Sequence, residues 1–99
     1  MEMGRSLAAT LGERPAALMR GHGCVVAGRS LREVVFDAVH LELNANLQMR
    51  AMALSRDIVF LSDGEIAAMV GGRSSFTFER AWERWSARAG RPYRRPADD

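Results

Sequence analysis

The sequence predicts an α/β fold, with two or three short strands beside one long helix and two shorter helices, preceded by a brief helix. Three observations predict it. Two apolar runs of strand length, Ala16–Met19 and residues 24–27, flank the turn-forming stretch Arg20-Gly21-His22-Gly23. From Leu31 to Leu54 no glycine or proline interrupts an apolar pattern spaced at i, i+3 and i+4. Two Ser-x-x-Glu sequences, Ser30 with Glu33 and Ser62 with Glu65, each mark a helix start.

Residues 6–11 (Ser6, Leu7, Ala8, Ala9, Thr10 and Leu11) read as the brief helix, with Ser6 as its cap and Gly12 and Pro15 as its stop. The apolar runs that follow read as two strands joined or interrupted at the glycines beside His22. At Ser30 and Glu33 the serine hydroxyl can accept the third helical amide while the glutamate reaches back to the cap, so the long helix starts there. Val34, Val35, Ala38, Val39, Ala45, Met49 and Met52 broadly keep helical spacing along it. At 1.5 Å per residue the rod is about 36 Å long, and such a rod needs a broad apolar surface to lie on.

Ile58, Val59, Phe60 and Leu61 have strand composition and predict a third strand. The second Ser-x-x-Glu sequence closes it and opens a short helix over 63–69 that stops at Gly71-Gly72. A last helix over 76–89 sets Phe78, Trp82, Trp85 and Ala89 on one stripe and Arg80, Arg84 and Arg88 on another, before Gly90 and Pro92 end it. Tryptophans so spaced read as core or subunit interface rather than a base-stacking platform.

Composition narrows the class of protein. With 99 residues the chain is one domain or part of one, and 47% hydrophobic with 26% charged residues is a globular balance, not a disordered one. No apolar run approaches the roughly 18 residues that span a bilayer, and Glu2, Arg5, Glu13 and Arg14 break the pattern of a secretory leader. Neither membrane insertion nor secretion is expected. The single cysteine, Cys24, has no internal disulfide partner, and its neighbours Val25 and Val26 predict a buried thiol in a reducing compartment, the cytoplasm. The formal charge is only +2, and all 14 basic residues are arginine, so no polyanionic partner such as nucleic acid is expected. Arg88, Arg91, Arg94 and Arg95 cluster before Pro96 and read as a solvated or interface tail.

Few side chains have a chemical reading. His22, between two glycines at the end of an apolar run, suits a metal ligand, because glycines let the backbone approach a ligand closely. Spacing alone fits a plain turn histidine at a hairpin end at least as well. His40, beside Val39 and Leu41 on the long helix, reads as a surface or hydrogen-bonded histidine. Cys24 shares strand parity with His22 but has nothing nearby to make it a ligand. A catalytic zinc takes about three protein ligands, and no His-x-His, His-x-x-x-His or Cys-x-x-Cys occurs. Nucleophile-elbow, phosphate-loop and dinucleotide fingerprints are also lacking.

The stretch from Ala17 to Leu31, with its Gly21-His22-Gly23 turn and Gly28-Arg29-Ser30 cap, leads into a helix carrying Leu41-Glu42-Leu43-Asn44-Ala45. In this order the motifs resemble the class II aldolase/adducin family over residues 5–62, with a looser fit beyond. Phe78-x-x-Ala81-Trp82-x-x-Trp85 is similar to a branch that includes aldolase-like decarboxylases of aromatic acids. The resemblance implies a mainly antiparallel sheet covered by helices on both faces, and homotetramers with active sites at subunit interfaces. It makes His22 the counterpart of the third histidine ligand of a divalent metal, commonly zinc. Such a metal would polarise a carbonyl or carboxylate oxygen and stabilise the enediolate-like charge left when a carbon–carbon bond breaks.

The family's His-x-His pair, its acid/base carboxylate and its anion-binding loop lie upstream of this motif, whereas only 21 residues precede His22 here. Residues 1–99 are therefore expected to be the carboxyl-terminal part of a lyase domain whose amino-terminal half lies elsewhere, with the last helix and arginine-rich tail at 76–99. On this reading the chain alone is inactive, no catalytic residue is assigned, and Tyr93 has no motif supporting a role. The whole domain would cleave a carbon–carbon bond of a small oxygenated substrate, by aldol cleavage or decarboxylation. The alternative is a non-catalytic, adducin-like oligomerisation module.

Overall fold

The computed structural model describes residues 1–72 and 74–93. The elements are α1 (Glu2–Leu11), β1 (Ala16–Met19), β2 (Gly23–Val26), α2 (Leu31–Leu54), α3 (Asp63–Gly71) and α4 (Ser75–Arg88). This is the α/β arrangement expected of part of a class II aldolase-like domain. The chain divides into two compact units, Met1–Val39 and His40–Asp99.

In the first unit α1 starts four residues before its expected cap. Glu2 stands in the first turn, where a carboxylate is favoured by the helix dipole, and the Arg5 N–H donates to the Met1 carbonyl at 3.3 Å. Ser6 is therefore inside the helix and does not cap it; its carbonyl accepts the Thr10 hydroxyl at 2.9 Å. Gly12, at φ 52°, ends α1 in a backbone region that disfavours other residues.

β1 and β2 form an antiparallel hairpin in the register Ala16↔Val26, Ala17↔Val25, Leu18↔Cys24 and Met19↔Gly23. The second strand thus starts one residue earlier than the apolar run suggests. At the open end of the hairpin the Ala27 N–H donates to the Pro15 carbonyl at 2.8 Å. α1 packs against β1. Where the chain enters α2, Ser30 Oγ accepts the Glu33 N–H at 3.2 Å, and the Glu33 carboxylate accepts the Arg29 N–H at 2.8 Å. A Cβ on Gly28 would lie 3.0 Å from Val34 Cγ2 and 3.3 Å from Glu33 Cγ. A side chain there would press on Val34 and Glu33, which would have to give by a few tenths of an ångström, so the glycine of the Gly-x-Ser pattern suits the close approach at this helix start.

In the second unit, Ile58, Val59, Phe60 and Leu61 are not a strand. A strand exists only through hydrogen bonds to a neighbour, and no described segment pairs with these residues. Val59 is 96% exposed and Phe60 65%, so composition alone did not secure the element. The second capping box is complete, because it needs only local bonds. Ser62 Oγ accepts the Glu65 N–H at 3.3 Å, and Glu65 Oε2 accepts the Ser62 N–H at 2.8 Å and its hydroxyl at 2.9 Å. On α4, Phe78, Trp82 and Trp85 are half-buried while Arg80, Arg84 and Arg88 are exposed, as the stripes predict, although Ala89 is exposed too. Gly90, at φ 71°, follows the helix end. Of the arginine tail, Arg91 is exposed, and Arg94 and Arg95 lie outside the described residues.

The backbone and hydroxyl hydrogen bonds from Ser62 hold the Glu65 carboxyl below its ordinary value, because they favour the charged form. A lowered folded-state pKa means that the cap's contribution is present above the ordinary glutamate value and lost as pH falls through the lowered one. Acid titration should therefore fray the first turn of α3, read as exchange broadening of the Glu65 and Ile66 amide signals. Ser62→Ala should show that fraying already at neutral pH.

Among the described residues no side chain is buried. Cys24 is exposed, contrary to the buried thiol its neighbours suggest, since only α1 covers the two-stranded sheet and it does so at β1.

Candidate metal-binding turn

The hairpin reverses through Arg20, Gly21 and His22. The His22 N–H donates to the Met19 carbonyl at 3.1 Å, and the reversal requires φ 76° at Gly21 and φ 103° at Gly23. Both angles suit glycine and strain any other residue, which explains the two glycines around this histidine. The His22 side chain is exposed at the apex, and no hydrogen bond to its ring is made among the described residues. Its nitrogens are thus open to a ligand. Because His22 lies in the turn and not on a strand, the parity that linked it to Cys24 does not apply.

A cleft of about 660 Å³ lies between α1 and this turn. Met3 and Leu7 on α1 and Leu18 and Met19 on β1 form its apolar walls, and the exposed Arg20 and His22 line it as well. The sequence carries no motif for Arg20 beyond its place in the same turn as His22. His40 sits elsewhere, half-buried with its ring centroid 6.4 Å from that of Trp85 at an interplanar angle of 50°, a packing role.

Among the described residues no group of three or more His, Cys, Asp or Glu side chains could hold a metal ion. A catalytic zinc takes about three protein ligands, so the described donors do not themselves make such a site. His22 can supply one ligand of a shared site. The purified chain should accordingly bind zinc more weakly than about micromolar, because one imidazole lacks the chelating partners that give tight sites. Calorimetry checks this; tight one-to-one binding lost in His22→Ala would show a complete site within these residues.

Comparison with known proteins places this turn in a family. Residues 1–49 match the family described as Class II Aldolase and Adducin N-terminal domain. The chain is 31% identical over 78 residues to a 3,4-dihydroxyphthalate decarboxylase of Arthrobacter keyseri, covering 79% of this chain and 32% of that protein. It is 30% identical over 84 residues to the enzyme of that name from Terrabacter sp. (strain DBF63), covering 85% of the chain and 35% of the relative. With the Rhodococcus jostii (strain RHA1) protein of that name, identity is 24% over 88 residues, or 89% and 36% of the two chains. The chain thus spans about a third of the length of the curated relatives it matches. No solved structure matches it significantly. Through residues 1–49, which include the hairpin and His22, the chain belongs to the class II aldolase/adducin family.

Proposed function

We propose that this chain is the part of a class II aldolase-like lyase that contributes one histidine, His22, to a divalent-metal site completed by residues outside it. The observation that carries this reading is the His22 ring held exposed at the apex of a glycine-built turn within the family-matched segment. Zinc is the metal favoured by the family resemblance. Among the family's carbon–carbon cleavages, decarboxylation of an aromatic acid is supported by the three relatives named 3,4-dihydroxyphthalate decarboxylase. The chain alone is inactive on this reading, since no three-donor group stands among the described residues. Its functional state is a homo-oligomer, a tetramer by family resemblance, or a complex with the rest of the domain. Its substrate is a small molecule, with no nucleic acid or membrane as partner. A cytoplasmic location accords with the free Cys24 and with a described structure in which no helix is long and apolar enough to cross a membrane.

The direct test mixes this chain with the portion of the Arthrobacter keyseri relative outside the 78-residue match and measures carbon dioxide release from 3,4-dihydroxyphthalate with added divalent metal. Metal-dependent release is the expected result. A second reading, the non-catalytic interaction module, draws on the lack of a three-donor group among the described residues and on exposed apolar residues such as Leu47 and Met52. Tight association of the two pieces with no release at any metal concentration favours that reading.

A further inference from the structure

The cleft beside His22 has two chemically distinct parts. Met3 and Leu7, four residues apart on α1, face Leu18 and Met19 at the end of β1, giving branched and thioether walls that suit the face of an aromatic ring. Arg20 follows β1 directly, is exposed, and makes no ion pair among the described residues. A guanidinium presents a planar fork of donors matched to a carboxylate. About 660 Å³ is a usual size for a small-molecule pocket, and apolar walls with one convergent charged group are the usual composition. A sugar phosphate would satisfy Arg20 but leave the methionine and leucine walls uncovered, whereas a neutral ring would cover the walls and ignore Arg20.

We infer that this cleft binds an aromatic carboxylate, with its ring against Met3, Leu7 and Met19 and its carboxylate on Arg20. The inference rests on the decarboxylase reading and deepens it, by naming where that substrate class is recognised and making Arg20 a specificity-determining residue. Binding to the chain alone is weak, because the site is open to water and its cation is screened.

The test uses the full chain with 13C-labelled methionine methyl groups, titrated with phthalate and, for comparison, with acetate and benzyl alcohol. The Met3 and Met19 methyl signals should shift with phthalate in the millimolar range and far less with either comparison compound, while Met49 and Met69, in the other unit, stay still. Arg20→Met should weaken phthalate binding about tenfold, equivalent to about 1.4 kcal/mol, and Arg20→Lys should recover part of the loss. Arg20 is an exposed turn residue and the flanking glycines set the reversal, so both variants keep the hairpin. Equal shifts with benzyl alcohol, no Met3 or Met19 shift, or an unchanged Arg20→Met affinity would overturn the inference. So would ligand-free shifts that follow protein concentration, since a second copy would then occupy the cleft. The assay needs neither metal nor turnover. Phthalate binding without decarboxylation in the reconstituted mixture leaves this site standing and removes the reaction; decarboxylation without Arg20-dependent binding does the reverse.

Discussion

His22→Ala should abolish the decarboxylase activity of the reconstituted mixture while leaving the association of its parts intact. The ring makes no hydrogen bond among the described residues, and the side chain is exposed, so its removal costs little packing. The turn itself is set by Gly21 and Gly23 and by the His22 backbone N–H, all of which survive the substitution. Loss of groups that merely orient a metal ligand typically costs 10- to 100-fold, so loss of a ligand itself should cost about a hundredfold or more. Bound metal, measured after desalting, should fall in parallel. His40→Ala is the control: that ring packs on Trp85, and its loss should reduce activity only modestly through a looser second unit. If His22→Ala reconstitutes with full activity and unchanged bound metal, His22 is a turn residue and nothing more.

The features legible in the sequence were those decided by neighbours within about five residues. Ser62 and Glu65 complete their capping box from local bonds alone, and the glycines around His22 reverse the chain wherever it sits. Features that depend on a distant partner were not legible. Ile58, Val59, Phe60 and Leu61 have strand composition but no described strand to pair with, and Cys24 has apolar neighbours but no layer above it. The start of α1 differs from expectation for another reason: Ser6 is a good cap, yet the helix extends through Gly4 to Glu2, because one glycine costs only about 1 kcal/mol in a helix. For the site, the Gly-His-Gly turn marks His22 in the sequence, whereas the place of Arg20 beside apolar walls depends on α1 packing against β1 to form the cleft.

Isolated in solution, the chain should bind an apolar dye, elute from a sizing column above its 11.0 kDa mass, and melt without a sharp transition. Large apolar side chains stand exposed in both units, among them Met3 and Leu18 in the first. Much of the exposed surface is apolar: Leu47, Met49 and Leu54 on α2, Val59 and Phe60 beyond it, and Met69 on α3. Apolar surface on this scale drives association, whether with the rest of the domain or with further copies of the chain. Lysine at both Val59 and Phe60 should shift elution toward the monomer and reduce dye binding, because those side chains are exposed and carry no described strand pairing. Elution as a monomer at high concentration, with no dye binding and a cooperative melt, would show that these residues are stable without a covering partner and would remove the main physical reason for expecting one.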